Sequence, residues 1–599
     1  MPTDIIVNVQ HLLPAFLLGG IVLWIFRSRL NSAREQGIAY TLAAPTTEKV
    51  HVLTNPTIKV PGSPDIQCYS PATGELLQCI TPVTPDGLDR LIDQAGTAQK
   101  EWAETQFWQR RRVLKTILRF ILDNQDEIVR VACLDSGKTR VDALFGEILV
   151  TVEKLKWTID HGETALRPER RPTNFLMFYK KNVVHYEPLG VIAACVSWNY
   201  PFHNILGPII SALFTGNAIV VKGSEQTAWS SQYFGDLVRK ALVVTGHNAD
   251  IVHVVSCWPE TAEHLTSHPK ISHLLFIGSK PVAHAVAKSA SRALIPLCVE
   301  LGGKDAAVIL DHDGNTLPSQ GEIDRIASII MRGVFQSAGQ NCIGIERIVA
   351  MPRMYEKLVT MLTPRIKALR LGNDLDVREG GQVDVGASIS SASFDRLEKL
   401  IAEAVSQGAS LIVGGRKVKH PKYPQGHYFA PTLLVNVTPD MRIAREELFA
   451  PICVFMKAET VQQAVDITNG TMYGLGCSVF GPTHTTAARD SLQHVAKQIK
   501  SGMVAINDFA VYYAVQLPFG GVAGSGYGRF AGEEGLRSIC NVKSVCSDRF
   551  PSIIKTAIPG KLDYPMQAGA FNMATGIVEF GYGDSFYRMW IGIRKLVGA

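Results

Sequence analysis

Val191-Ile192-Ala193-Ala194-Cys195-Val196 is apolar throughout and runs directly into Ser197-Trp198-Asn199-Tyr200-Pro201. A short apolar run closed by turn residues predicts a strand covered on both faces, with an amide side chain delivered just beyond its end. Working outward, the sequence predicts a helix near 203–215, a strand over 218–222, a helix over 227–244, strands over 251–255 and 273–277, and a helix near 281–292. Upstream it predicts helices over 85–102 and 108–133. Strands alternating with helices imply an α/β fold with a parallel sheet, whose ligands meet the C-terminal ends of the strands.

Chemistry-bearing residues fall at those ends. Ala218-Ile219-Val220-Val221 leads into Lys222-Gly223-Ser224-Glu225, which sets a cation and a carboxylate three residues apart. Leu274-Leu275-Phe276-Ile277 leads into Gly278-Ser279, and Pro281 suits the first turn of the helix that follows. A glycine and a hydroxyl at a helix start can hold a phosphate on free N–H groups. The spacing is not that of a GxGxxG fingerprint, so spacing alone does not identify a dinucleotide fold. Further on, Phe335-Gln336-Ser337-Ala338-Gly339-Gln340-Asn341-Cys342 delivers one cysteine after a helical run, and Val299-Glu300-Leu301-Gly302-Gly303-Lys304 lies upstream. The pair suggests a thiol nucleophile with a carboxylate partner.

Composition bounds the rest. A chain of 599 residues is too long for one core and implies two or three domains. Hydrophobic residues at 46% and charged residues at 19% describe a globular chain. The 60 basic and 54 acidic residues leave a net charge of +6 with no basic stripe, which gives no case for nucleic acid. The 11 cysteines form no CxxC and no Cys/His cluster, so the sequence predicts no metal site and free thiols in a reducing compartment.

The N-terminus breaks the soluble pattern. Residues 5–26 carry no formal charge, and as a helix about 22 residues span roughly 33 Å, enough for a bilayer core. A cleavable signal peptide fits less well, because Met1-Pro2-Thr3-Asp4 has no basic n-region. Arg27, Arg29 and Arg34 follow the run, which places the globule in the cytosol by the positive-inside rule. A single-pass protein of the endoplasmic reticulum is expected. The sequons Asn436-Val437-Thr438 and Asn469-Gly470-Thr471 would then stay unmodified. Residues 27–64, with Pro45, Pro56, Pro61 and Pro64, are expected to form a linker.

Taken together, the motifs resemble the NAD(P)-dependent aldehyde dehydrogenase superfamily from about residue 65 to 548. The match opens at Asp65-Ile66-Gln67-Cys68-Tyr69-Ser70-Pro71-Ala72-Thr73-Gly74-Glu75 and passes through the motifs above in the family's order. It continues through Glu446-Glu447-Leu448-Phe449-Ala450-Pro451 and Tyr473-Gly474-Leu475, and closes with Pro518-Phe519-Gly520-Gly521 and Ser525-Gly526. The resemblance implies Cys342 as nucleophile, Glu300 as the base that activates water, and Asn199 as oxyanion donor beside the backbone N–H of Cys342. It implies Lys222 and Glu225 on the adenosine ribose, Gly278 and Ser279 at the pyrophosphate, and Glu447 on the nicotinamide ribose with Phe449 packed beside it. A carboxylate at 225 repels a 2′-phosphate, which favours NAD over NADP.

The same resemblance implies a Rossmann-like NAD-binding domain over 65–300 with a small oligomerisation arm near 166–190. A catalytic α/β domain over 301–505 follows, with a return to the cofactor and oligomerisation region over 506–548. A homodimer or homotetramer is implied. The expected activity is NAD-dependent oxidation of an aldehyde to a carboxylic acid through a cysteine thioester, at a membrane surface. With its N-terminal anchor and its C-terminal extension over 549–599, the chain is most similar to a membrane-anchored fungal branch, the meiotic sister-chromatid recombination aldehyde dehydrogenases.

Some positions depart from the family pattern. Ile277 stands where threonine is usual, Ala283 and Ala450 where glycine is, and Gly223 and Ser197 where proline is frequent. Pro208 replaces a lysine, and extra residues between Glu300 and Cys342 are assigned to a polar loop over 311–321. Ile277 and Ala283 bear on cofactor binding, so a catalytically silent membrane scaffold with the same fold stands as the alternative.

Overall fold

The computed structural model describes residues 33–47, 51–311, 318–376, 382–509 and 513–598. The stretch 5–26, expected to span a bilayer, lies outside the described residues, as does most of the polar loop over 311–321. Among the described residues no helix is long and apolar enough to cross a membrane. The chain divides into two compact units, residues 1–165 with 188–539, and residues 166–187 with 540–599.

The first unit opens with an antiparallel hairpin of β1 (Ile66–Tyr69) and β2 (Leu76–Ile80). Helices α1 (Pro85–Ala103), α2 (Phe107–Asp123) and α3 (Gln125–Ser136) follow. The single helix expected over 108–133 is thus two. Asn124 leaves the helical region at φ −131°, and its Nδ2 donates to the Phe120 carbonyl at 2.8 Å, a local side-chain bond that competes with helix continuation. A helical stretch over Arg140–Ala165 escaped the sequence reading. It contains a wide π-type turn over Leu144–Leu149 before α4 (Val150–Ala165), and the extra residue of that turn shifts the apolar positions out of helical period.

Next come β3 (Val191–Cys195), α5 (Pro201–Thr215), β4 (Ala218–Lys222), α6 (Ala228–Val244), β5 (Val252–Val255), α7 (Pro259–Thr266), β6 (His273–Gly278), α8 (Lys280–Ala290) and β7 (Leu297–Leu301). The first large sheet has the order β7-β6-β3-β4-β5, all parallel, with the two-residue strand Gly526–Tyr527 antiparallel on its β7 edge. Every residue of β3 and β4 is buried, which is why both read as unbroken apolar runs. Strand order reverses between β3 and β6. The crevice outside their C-terminal ends is where open α/β sheets bind ligands.

The second sheet is built from β8 (Ala306–Ile309), β9 (Arg347–Ala350), β10 (Ser410–Val413), β11 (Thr432–Val435), β12 (Ile452–Lys457), β13 (Gly476–Phe480) and β14 (Met503–Ile506). Its order is β10-β11-β12-β9-β8-β13-β14, parallel except for the β10 edge. Helix α9 (Gln320–Phe335) crosses between β8 and β9, opened by a capping box in which Ser319 and Glu322 satisfy each other's backbone N–H groups. Its C-terminal end leads to Cys342.

The second unit pairs Lys180–Pro188 with Glu169–Arg171 on one side and Cys540–Asp548 on the other, as a three-stranded sheet. The arm expected near 166–190 therefore takes the C-terminal strand of its own chain. A hairpin of two helices, Ala570–Tyr582 and Phe586–Gly598, ends the unit. Gly576 and Gly592 let the two backbones meet: a Cβ on Gly592 would lie 2.4 Å from the Phe580 nitrogen.

Residues 33–47, expected as part of a linker, are tied to α2 and α6. Glu35, nearly buried, accepts from Arg111 at 2.7 Å and Lys115 at 2.8 Å. Tyr40 stacks on Phe120 at 4.6 Å and donates to the Leu237 carbonyl at 2.8 Å. Gly37 passes so close to α2 that a Cβ would lie 2.5 Å from the Lys115 carbonyl oxygen. Composition concealed this, because the contacts are made by isolated side chains and not by a periodic face. Glu35→Ala leaves two cations without their shared carboxylate at a cost of about 2 kcal/mol, so limited proteolysis should release residues 33–64 about 30-fold faster while the main thermal transition moves little.

Candidate active site

Cys342 is held by a backbone that few sequences tolerate. After α9, Ser337, Ala338 and Gly339 take φ of 54°, 56° and 71°, a left-handed run in which two residues carry a side chain. Neighbours hold it there. The Ser337 N–H donates to Asp142 Oδ2 at 3.0 Å, and Asp142 is paired with Arg332 at 2.7 Å. Gln340 accepts the Ile389 N–H at 2.9 Å and donates to the Ser337 carbonyl at 3.1 Å. A Cβ on Gly339 would lie 2.2 Å from the Ala450 oxygen, so glycine is required for that approach as well as for its φ.

Asn199 sits in the loop after β3 with its amide orientation set on both sides. Its Oδ1 accepts from Ser197 Oγ at 2.8 Å and from Asn204 Nδ2 at 3.3 Å. Nδ2 is left to donate to the Gln340 carbonyl at 3.2 Å, two residues before Cys342. Ser197, a departure from the family pattern, therefore supplies a bond that proline cannot. Beneath the loop, Lys138 Nζ donates to the Asn199 carbonyl at 2.7 Å and pairs with Glu147 at 2.6 Å, both side chains being buried. The second oxygen of Glu147 accepts the N–H groups of Phe202 and His203 at 3.1 and 3.0 Å, in the first turn of α5. Sequence reasoning missed Lys138, Glu147 and Asp142. The only signal was that these charges are interspersed with the apolar residues Val141, Ala143, Leu144, Phe145, Ile148 and Leu149.

Glu300 lies on β7 and is 2% exposed. Its Oε1 is buried without a partner, its carboxyl stands beside the Cys342 thiol, and burial pushes its pKa up to about 8. Burial, with the charges of Glu300, Asp305 and Glu447 nearby, drives the Cys342 thiol well above its ordinary value. The pair as it stands is a protonated thiol beside a carboxyl group.

A second buried pair connects this site to the other sheet. Lys304, 1% exposed, bonds Glu346 at 2.7 Å, and Glu346 accepts the N–H groups of Leu448 and Phe449 at 3.0 and 2.9 Å. The Glu447-Leu448-Phe449 loop is thereby fixed, with Phe449 at φ 52° and edge-on to Trp198 at 5.6 Å. Glu447 lies against Gly302, where a Cβ would come within 1.6 Å of its Oε1. Burial and the charges of Glu346 and Glu300 raise its pKa to about 8.

One cavity of about 300 Å³ is lined by Asn199, Gly278, Ser279, Glu300, Cys342, Glu447 and Phe449 together. Ile277 lines it as well. Lys222 and Glu225 do not reach it; they pair with each other at 2.7 Å at the end of β4, one strand over. Ser279 caps α8 without a side-chain bond to it, leaving its hydroxyl and the first-turn N–H groups for a ligand. A strand-end crevice with an unengaged helix start on one side and a lysine–carboxylate pair on the next strand suits a dinucleotide. Ala283 is buried within α8, and Gly223 has no room for a Cβ, which would meet Ser231 Oγ at 2.6 Å.

Among the described residues Asp89, His264 and His268 bring possible metal ligands within 4.8 Å of one another. His268 Nδ1 accepts the Lys270 N–H at 3.2 Å, so Nε2 carries the ring proton and donates to Asp89. The group is a hydrogen-bonded clasp between α1 and α7.

Comparison with known proteins agrees with this geometry. The pattern of the aldehyde dehydrogenase family matches residues 59–545. An aldehyde dehydrogenase-like protein of Saccharomyces cerevisiae is 51% identical over 543 residues, spanning 89% of this chain and 82% of that protein. A succinate-semialdehyde dehydrogenase (NADP+) of Deinococcus radiodurans is 28% identical over 488 residues, 82% of this chain and 95% of that protein. The crystal structure of a betaine aldehyde dehydrogenase point mutant from Staphylococcus aureus, in complex with NAD+, superposes with a TM-score of 0.73 at 25% identity, over 83% of this chain and 96% of that one. With the family pattern running from the β1 hairpin to the last strand, this chain belongs to the aldehyde dehydrogenase family.

Proposed function

We propose that the chain oxidises an aldehyde to a carboxylic acid, with NAD as hydride acceptor and a thioester on Cys342 as intermediate. The observation that carries this is the meeting of a half-buried thiol, a buried carboxyl with an unpaired oxygen, and an oriented amide at one cavity. The thiol gives up its proton to solvent before attack, since the sulfur adds to the carbonyl as a thiolate, and Glu300 is left to serve the later step. The sulfur then bonds the aldehyde carbon, and the carbonyl oxygen becomes an oxyanion that takes hydrogen bonds from Asn199 Nδ2 and the Cys342 N–H. Bound NAD would supply the acceptor for the hydride that leaves this carbon. Glu300 then takes a proton from the water that attacks the thioester, the carbon–sulfur bond breaks, and the acid departs.

Division of labour between the two residues is measurable. Cys342→Ala should abolish NADH formation. Glu300→Gln should give one burst of NADH per site and then stall, with kcat reduced on the order of 10²- to 10⁴-fold. In the unmodified protein kcat should rise as pH passes through about 8, where Glu300 ionises, and the rise should vanish in the glutamine variant. Steady turnover by Cys342→Ala would refute the mechanism.

The choice between nucleotides is read from Glu225, since the relatives above are described with NADP+ in one case and NAD+ in the other. A carboxylate paired with Lys222 at the β4 end accepts bonds from a free ribose and repels a 2′-phosphate. Titration should show tighter binding of NAD than NADP, with Glu225→Ser narrowing the gap. Failure to bind either nucleotide would favour the silent scaffold.

We also propose that residues 5–26 anchor the protein in the endoplasmic reticulum membrane with the catalytic unit in the cytosol, on the grounds of the uncharged run and the arginines that follow it. Asn436 is exposed and would be open to glycosylation in the lumen. N-glycosidase should leave the mobility of membrane-bound protein unchanged, and protease added to intact microsomes should digest the globule. A mobility shift, or protection until detergent is added, would reverse the orientation.

A further inference from the structure

Helix α4 faces the cavity with Val150 and Lys154, one turn apart, continuing the line of Gly146 in the π-type turn before it. The wall around them is apolar, formed by residues such as Ile343, Val515, Phe519 and Phe530. In that wall Lys154 is a cation only 7% exposed. Of its three N–H donors one is used, toward the Phe530 carbonyl at 3.1 Å. Among the described residues it has no ion pair, and no carboxylate acts on it: burial alone lowers its pKa, to about 8. His203 stands nearby, held neutral by burial, with Nδ1 bonded to Thr151 Oγ1 at 3.0 Å, so it supplies no countercharge.

A buried ammonium without an anion is costly, and replacement by an apolar side chain of similar length would ordinarily favour folding. The other buried lysines of the site show the contrast, for Lys138 and Lys304 each face a glutamate within 2.7 Å. We infer that the missing anion belongs to the substrate: Lys154 recognises a carboxylate at the far end of the aldehyde, and the enzyme's substrates are aldehydes that carry an acid group. An apolar wall with one cation suits a molecule with a hydrocarbon middle, a carbonyl at Cys342 and a carboxylate at Lys154. This rests on the aldehyde dehydrogenase reading of the same cavity and names the substrate class within it. Lys154 is thus a specificity residue, distinct from the groups that act on the carbonyl.

The test compares kcat/KM of the full-length protein for matched pairs, 4-oxobutanoate against butanal and 5-oxopentanoate against pentanal. The oxo acid should be preferred by on the order of 100-fold in at least one pair, and Lys154→Met should bring that ratio close to one. Lys154→Arg should restore part of it. Thermal melting separates a structural role: Lys154→Met should melt at or above the temperature of the unmodified protein, because an uncompensated charge has gone. Should the methionine variant not fold, Lys154→Gln, which keeps a donor for the Phe530 carbonyl, reads the same ratio. A ratio near one in the unmodified protein, a ratio that survives Lys154→Met, or a loss confined to the KM for NAD would each overturn the inference. If no aldehyde is turned over at all, the dehydrogenase reading fails, and calorimetry with succinate and butanoate decides the lysine separately. Selective binding of succinate that is lost in Lys154→Met supports the site, and absence of such selectivity overturns it.

Discussion

The ion pair between Lys138 and Glu147 is the constraint on which the site depends. Both groups are out of water, so the pair persists only because each also serves the backbone. Lys138 holds the carbonyl of Asn199, and Glu147 gathers the first N–H groups of α5. The amide of Asn199 is aimed by these contacts before any substrate arrives. Removing either partner alone would leave an uncompensated buried charge, at a cost of about 3–5 kcal/mol, and would release the loop that bears the amide. Lys304 and Glu346 repeat the arrangement from the second sheet, linking the strand of Glu300 to the loop of Glu447 and Phe449. The two buried pairs thus fix the Asn199 loop and the Glu447–Phe449 loop beside one thiol, and the left-handed turn before Cys342 is held by its own bonds to Asp142 and Ile389.

Burial also sets the protonation of the reacting groups. Glu300 and Glu447 are both raised to about 8; the charge of Glu300 helps raise Glu447, and the charges of both help raise the thiol of Cys342. Desolvation is the leading cause in each case, so any ligand or water that enters the cavity changes all three at once. The chemistry of the site is therefore a property of its occupancy.

The sheet and the sequence positions around it were legible because their determinants are local. Unbroken apolar runs mark β3 and β4, and turn residues mark where they end, so Asn199 and Lys222 could be placed at strand termini from spacing alone. Cys342, Glu300 and Asn199 line one cavity, although 42 residues separate the first two in the chain. The supporting residues were not legible. Glu147 sits in a π-type turn that destroys helical period, and Asp142 acts across nearly two hundred positions on Ser337. Glu35 and Tyr40 lie in a stretch whose composition says linker, while their partners are single side chains on α2 and α6. Long-range pairing between isolated polar residues leaves no periodic trace.

The bond between Glu35 and α2 also acts as a leash. From Phe26 to Glu35 the backbone contour is at most about 30 Å, since an extended residue covers roughly 3.3–3.6 Å. Whatever surface the first 26 residues occupy, the flank of α2 that bears Arg111 and Lys115 must stay within that radius of it. Were residues 5–26 to sit in a bilayer as proposed, that tether would limit how far the catalytic unit could move from it for as long as the carboxylate keeps its two cations.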